Sequence, residues 1–259
     1  MRIAIIGAGS VGTNLHHALE LKGIRAELVH ARPLTADPEA VKALPKADIY
    51  VYTVADHALR DVVSKVEAPQ ALHVHTSGSM PIEVFGADKP HSGVLYFFQS
   101  FSREVLIDDW SGIPCFIEGP NIDDIAAIYS LAQCLTSRIY EANRHDRERL
   151  HIAGIFANNY TNLMYRIAED VLKDTPIPFE ALLPLIDQTA AKVHTIRPAD
   201  AQTGPAKRGD HAVMNHHAQL LSAFSSQYSA FSSEDLSALY QVLAALIGKA
   251  QNHSDLPNV

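Results

Sequence analysis

Three glycines in the first twelve residues limit this chain's fold more than any other feature. The stretch IIGAGSVGTNL at 5–15 sets Gly7, Gly9 and Gly12 in G-x-G-x-x-G spacing, directly after the apolar run RIAII at 2–6. Apolar residues then recur at Val11, Leu15, Ala18 and Leu19, the spacing of a helix, which Lys22-Gly23 ends. A second strand reads at 26–31. Strand, glycine turn, helix and strand in that order is the context in which the three glycines carry meaning. Gly7 permits a tight turn, Gly9 lets the backbone approach a pyrophosphate, and Gly12 lets helix and strand pack closely. The backbone N–H groups of Ala8, Ser10 and Val11 complete the cradle at the positive end of the helix dipole.

The end of the second strand selects the nucleotide. A carboxylate there accepts from the ribose 2′-hydroxyl of NAD. Here the residues are Val29-His30-Ala31-Arg32-Pro33, and no acid occurs before Asp37. A carboxylate would repel a 2′-phosphate, whereas Arg32 can pair with it bidentately, assisted by His30. The sequence therefore predicts NADP. Val54 and Ala55, after a strand at 47–54, lie where the nicotinamide side of the cofactor would pass, and Asp56 is expected to cap the next helix.

Further strands read at 71–75, 113–119 and 137–142, with helices at 56–66 and 122–135 between them. This alternation predicts an α/β domain over 1–142, a Rossmann-like, mostly parallel sheet covered on both faces. The pattern then changes. From Asn143 to Asp174 there is no proline and one glycine, Gly154, which predicts a long helix. Helices at 179–196, 210–231 and 232–251 follow, the last capped by Ser232 or Ser233. Residues 143–259 thus read as an all-α domain serving substrate binding or dimerisation.

Composition excludes several functions. The 259 residues carry a net charge of -8, which is unsuited to a nucleic-acid partner. Cys115 and Cys134 are the two cysteines and sit in apolar runs, so buried thiols are expected and a disulfide scaffold is not. The fourteen histidines form no HExxH or Cys/His pattern, so no metal site is expected. No apolar run approaches the roughly 20 residues of a membrane helix, and no signal peptide precedes the first strand. A cytoplasmic protein without membrane partners is the expectation.

Four segments are candidates for chemistry. HTSGS at 75–79 follows a strand, where ligands of open α/β sheets bind. His75 or Ser77 could donate a proton to a substrate there, or merely cap a turn. FFQSFS at 97–102 sets Gln99, Ser100 and Ser102 among aromatics, facing either a ligand or backbone carbonyls. On the long helix His151, Asn158 and Asn162 share one stripe, bordered by Asn159. QTGPAKRGD at 202–210 is a loop whose Arg208 could hold a substrate anion or pair with Asp210.

GAGSVG, HAR, HTSGS, QSFS, LHIAGIFANNYTNL and TGPAKRGD together resemble a bacterial family of NADP oxidoreductases. That family has a Rossmann-like amino-terminal domain and a helical carboxy-terminal domain of unknown function, and the resemblance spans nearly the whole chain. More distantly, the layout is similar to pyrroline-5-carboxylate reductase, β-hydroxyacid dehydrogenases and deazaflavin-dependent NADP reductases. The dehydrogenases carry a catalytic lysine four residues before an asparagine. Asn159 matches the asparagine, but Ile155 holds the lysine's place, so reduction of a C=O or C=N group fits better than alcohol oxidation. The resemblance implies a homodimer; the residues read as a reductase of a small polar molecule in an interdomain cleft, with His75 or Ser77 donating a hydrogen bond or proton and Asn159 and Arg208 orienting the substrate. The alternatives are a non-catalytic NADP sensor and a flavin or deazaflavin partner enzyme.

Overall fold

The computed structural model of the chain describes residues 2–224 and 229–251. The chain divides into two compact units, residues 1–158 and 159–259.

The first unit begins with β1 (Ile3–Ile6), α1 (Ser10–Leu21), β2 (Ala26–Val29), α2 (Ala31–Ala36), α3 (Pro38–Lys42), β3 (Ile49–Tyr52), α4 (Asp56–Ser64) and β4 (Leu72–His75). It continues with a 3₁₀ turn at Ile82–Phe85, β5 (Ser92–Phe97), β6 (Cys115–Glu118), α5 (Ile122–Gln133), β7 (Ile139–Glu141) and α6 (Arg144–Gly154). The strands form one sheet in the order β2-β1-β3-β4-β5-β6-β7. β1 to β5 run parallel to their neighbours, β6 turns antiparallel to β5, and β7 is parallel to β6. The order reverses beside β1, which opens the crevice outside the strands' carboxyl ends.

Both faces are apolar, as the alternation of side chains along a strand requires. Ile3, Ile5, Val51, Val74, Leu95 and Ile117 pack with Leu15 and Leu19 of α1 and with Ile128 and Leu131 of α5. On the other face Ala4, Ile6, Tyr50 and Tyr52 pack with Leu59, Val62 and Val63 of α4 and with Phe85. In this unit α2, α3, β5 and the 3₁₀ turn at Ile82–Phe85 escape the sequence reading, and beyond it so do the short helices Pro198–Ala201 and Pro205–Arg208, the second inside the segment read as a loop at 202–210. Cys115 is buried as expected, but Cys134 is only half-buried; it sits at the carboxyl end of α5 and donates to Ser130.

The expected long helix is present but not uniform. α6 passes directly into a π-helical stretch, Ile155–Tyr160, and then into α7 (Thr161–Leu172). A π turn holds more residues than an α turn, so the α-helical spacing assumed for His151, Asn158 and Asn162 does not hold across it.

The second unit continues through a 3₁₀ turn at Phe179–Leu182 to α8 (Leu183–Lys192), α9 (Pro198–Ala201), α10 (Pro205–Arg208), α11 (His211–Ser222) and α12 (Ser233–Gln251). Residues 225–228 of the helix expected at 210–231 lie outside the described residues. Ser232 caps α12, its hydroxyl accepting from Asp235 N–H while the Asp235 carboxylate accepts from Ser232 N–H. Asp170 is fully buried in this unit. Its carboxylate accepts from Ala230 N–H at 3.0 Å, Lys173 at 2.6 Å and Arg166 at 3.3 Å. Those bonds, Lys173 first, hold its pKa down at about 2.

Candidate functional site

The glycine turn follows β1 as the sequence requires. Gly7 has φ 123°, a conformation other residues rarely adopt, and its N–H donates to Val29 at 2.8 Å. Gly12 admits no side chain: a Cβ there would lie 1.8 Å from the Gly7 carbonyl oxygen. Thr53, next after β3, ties the turn down, its hydroxyl donating to the Gly7 carbonyl at 2.6 Å. Gly9 is the N-cap of α1 and offers no side chain to the orphan N–H groups of Ser10, Val11 and Gly12, and no acid stands in that first turn. The terminus of a twelve-residue helix whose first donors have no side-chain cap among the described residues, with a positive dipole end and no carboxylate in its first turn, suits a phosphate. The residues therefore fit a dinucleotide. His30 is the N-cap of α2, and Arg32 follows it, exposed and without an ion pair among the described residues. Val54 is half-buried and Ala55 exposed, and Ala55, not Asp56, is the N-cap of α4. Asp56 instead accepts a 2.5 Å hydrogen bond from the Ser79 hydroxyl.

The HTSGS loop leaves β4 at the same carboxyl edge. His75 is 0% exposed and its ring stacks on Phe85. Ser77 N–H donates to His75 Nδ1 at 3.2 Å, which places the ring proton on Nε2. Burial, with the Arg147 charge second, lowers the His75 pKa to about 4. The ring is neutral and faces its own loop. The Ser77 hydroxyl accepts from Ser79 N–H and Met80 N–H, both at 3.1 Å, so it too is engaged in shaping the loop.

The group the loop presents to its neighbours is a tyrosine. β5 extends past the end of β4 and sets Tyr96 against Gly78, where a Cβ would come within 2.7 Å of the ring. The Tyr96 hydroxyl lies 3.2 Å from His151 Nδ1 on α6, the direction of donation following the imidazole tautomer. Burial raises the phenol to about 12, so it keeps its proton throughout the physiological range. α6 is held on this face by Arg147, a fully buried cation. Arg147 pairs with Glu118 and donates to the Met80 carbonyl at 2.9 Å. Its Nε and His75 Nε2 are buried donors without a protein partner among the described residues. Gly154 is glycine because Phe98 fills the space a Cβ would take, 2.7 Å away.

Sequence reasoning missed Asn14, Thr53, Tyr96, Arg103, Glu118 and Arg147. Asn14 had a signal, a polar residue inside the apolar stripe of α1. The rest depend on strands and loops that meet only in the folded sheet. In the second unit Asn159 is exposed on the π turn, and Arg208 is exposed at the end of α10. Asp210 caps α11 by accepting from Val213 N–H at 3.2 Å and forms no ion pair with Arg208. Ser102 offers its backbone carbonyl to Asn14, and its hydroxyl donates to Glu104.

Residues 113–247 match the profile of a domain of unknown function, DUF2520. A protein from Bacteroides fragilis, provisionally named an NADP oxidoreductase, is 34% identical, with 96% of this chain and 98% of that one covered and a TM-score of 0.83. A Thermotoga maritima protein is 17% identical, with 96% and 98% covered and a TM-score of 0.68. The Plasmodium falciparum pyrroline carboxylate reductase, solved with NADP bound, is 12% identical, with 96% and 100% covered and a TM-score of 0.55. The last two likenesses concern the fold alone. No curated protein matches this chain. Among the described residues, no helix is long and apolar enough to cross a membrane.

Proposed function

The chain belongs to the DUF2520 family, and we propose that it is an NADP(H)-dependent oxidoreductase reducing a C=O or C=N group of a small polar substrate. The observation that carries this reading is the glycine turn, where Gly12 lies too close to Gly7 for any side chain and the first N–H groups of α1 have no side-chain cap among the described residues. Gly7, Ala8, Gly9, Ser10, Val11 and Gly12 would hold the pyrophosphate, Arg32 with His30 the 2′-phosphate, and Val54 and Ala55 the path toward the nicotinamide. The cofactor supplies the hydride when bound.

The chain itself supplies the proton and the alignment. Tyr96 is the proposed donor to the substrate oxygen or nitrogen. It is protonated at neutral pH, half-buried, and oriented by His151. With His151 carrying its proton on Nδ1, the imidazole donates to the phenol oxygen and leaves the phenolic proton free to transfer. His75 and Ser77 act one step back by fixing the loop against which Tyr96 rests. Asn159 and Arg208 are proposed as substrate-orienting groups on the strength of the sequence, both being exposed.

The biological unit is proposed to be a homodimer joined through the helical unit. Val242 and Leu246 on α12 are 56% and 54% exposed, one helical turn apart, and Leu220 on α11 is exposed as well.

The test follows NADPH consumption with a panel of ketoacids and cyclic imines. Turnover of at least one compound, reduced about 100-fold in Tyr96→Phe with NADPH affinity unchanged, is expected for a general acid. NADPH bound tightly but consumed with none of them would turn the reading toward a sensor. Turnover unaffected in Tyr96→Phe would remove Tyr96 as the donor.

A further inference from the structure

We propose that Arg103 clamps the bridging pyrophosphate of the dinucleotide, held at the glycine turn by the buried side chain of Asn14. This inference rests on the dinucleotide reading above and adds a residue that the turn motif does not contain.

Arg103 lies in the segment between β5 and β6, far from the turn in sequence. Its guanidinium nevertheless donates to the Ala8 carbonyl at 2.6 Å, in the middle of Gly7-Ala8-Gly9. An arginine has five N–H donors, and the rest of this guanidinium has no partner among the described residues. The neighbouring carboxylate, Glu104, accepts from the Ser102 hydroxyl, which in turn accepts from Glu104 N–H at 3.1 Å. The Ser102 hydroxyl bond first, with the Arg103 charge a lesser contributor, holds the Glu104 carboxyl below its usual range.

The position is built. Asn14 is 0% exposed, and it bonds in three directions. Its amide donates to the Ser10 carbonyl at 2.9 Å and the Ser102 carbonyl at 2.6 Å, and its oxygen accepts from Ile107 N–H at 3.0 Å. His17 and Asp108 add a contact at 2.7 Å. Trp110, fully buried against Phe97 and Phe101, anchors the far end. Residues 102–108 are thus strapped to α1 through Asn14 and His17, and the strap delivers the Arg103 guanidinium to the Ala8 carbonyl, two residues before α1 begins. A buried amide in mid-helix is costly unless satisfied. Here its bonds run to the strap, which explains its place in the apolar stripe.

Two arginines then divide the nucleotide. Arg32 stands after β2, where the adenosine ribose lies, and Arg103 stands at the turn, which meets the phosphates common to NADP and NAD. The two make different predictions. Calorimetric titration of the full chain with NADPH and with NADH is the experiment. Arg103→Gln is expected to weaken both by a similar factor, about 10- to 100-fold for a lost charge-assisted contact, and Arg103→Lys by less. Arg32→Gln is expected to weaken NADPH alone. An unchanged melting temperature in Arg103→Gln would confirm that the fold is intact. Asn14→Ala, acting by position, should weaken both nucleotides, and adding Arg103→Gln to it should weaken them little further. Affinities in Arg103→Gln equal to those of the unaltered chain would overturn the inference alone. A loss confined to NADPH would also overturn it, since Arg103 would then be reading the extra phosphate. Uptake of neither nucleotide by the unaltered chain would overturn the dinucleotide reading and the inference together.

Discussion

In the sheet unit, each face of the sheet has helices of its own chain to cover it, and buried apolar side chains run from Ile3 to Leu135. In the helical unit, Leu236 is the one apolar side chain buried to that degree among the described residues, while Leu185, Leu220, Val242 and Leu246 are more than half exposed. A fully buried leucine contributes about 1.5–3 kcal/mol, whereas ordering a residue's backbone costs about 1–2 kcal/mol. Partly covered side chains, helix caps and the Asp170 network add to the helical unit, but its apolar faces remain under-used. The difference locates each unit's stability: the sheet unit builds its glycine turn on a closed core, whereas the helical unit leaves apolar side chains exposed, which is the ground for the proposed homodimer.

The largest expected effect is on the closed side of this comparison. Gly12→Ala forces a Cβ against the Gly7 carbonyl. It should reduce NADPH affinity by at least about 100-fold and lower the melting temperature of the sheet unit, the strain being of the size that overpacking produces. An alanine tolerated without loss of affinity would show that the turn is not the closely packed cradle described.

Next comes the open side. Val242→Glu with Leu246→Glu places two charges on the α12 face. In sedimentation measurements the unaltered chain should be a dimer and the variant a monomer with a less stable helical unit. A monomer in both, equally stable, would mean that the helical unit needs no partner. Arg32→Asp, a change at one exposed side chain, should invert the preference for NADPH over NADH by about 10- to 100-fold and leave the oligomer alone. An unchanged preference would remove Arg32 from the site.

The smallest effect separates the units by acid. His75 is buried neutral with a pKa near 4, against about 6.5 when unfolded. The unfolded chain therefore takes up the proton first, and the stability tied to this ring is full above pH 6.5 and lost as pH falls toward 4. Asp170 has a pKa near 2, against about 3.9 unfolded, so its contribution persists to about pH 4 and is lost as pH falls toward 2. Hydrogen exchange from pH 7 to pH 3 should show the sheet unit loosening first. His75→Gln should flatten that first loss, and Asp170→Asn should weaken the helical unit at pH 7 by about 1–3 kcal/mol. Simultaneous loosening would contradict the separation.

The local parts of this fold were legible in the sequence. The strand, glycine turn and helix at the amino terminus depend on spacing within about twenty residues, and the Ser232 cap lies one turn from the group it bonds, whereas the cap expected of Asp56 falls to Ala55. What sequence did not reveal depends on distant partners. Gly93 makes Ser92–Phe97 read poorly as a strand, yet a Cβ there would lie 2.3 Å from both the Glu118 carbonyl and Ile128, so the glycine answers to β6 and α5. Arg147 reads as one more charge on the solvated run RHDRER and is instead sealed against Glu118. The π turn at 155–160 has no local signature that sets it apart from an α-helix. Within the site, HTSGS was legible as a loop at a strand end, but the exposure that separates Tyr96 from His75 belongs to the folded sheet.

The central claim is that a nicotinamide nucleotide with a 2′-phosphate lies across the turn at Gly7–Gly12. Isothermal titration of the unaltered chain with NADPH and NADH tests it most directly. The account predicts one site per chain, with NADPH bound at least ten-fold more tightly, a factor set by the Arg32 contact. No heat with either nucleotide, or equal affinity for both, would contradict it.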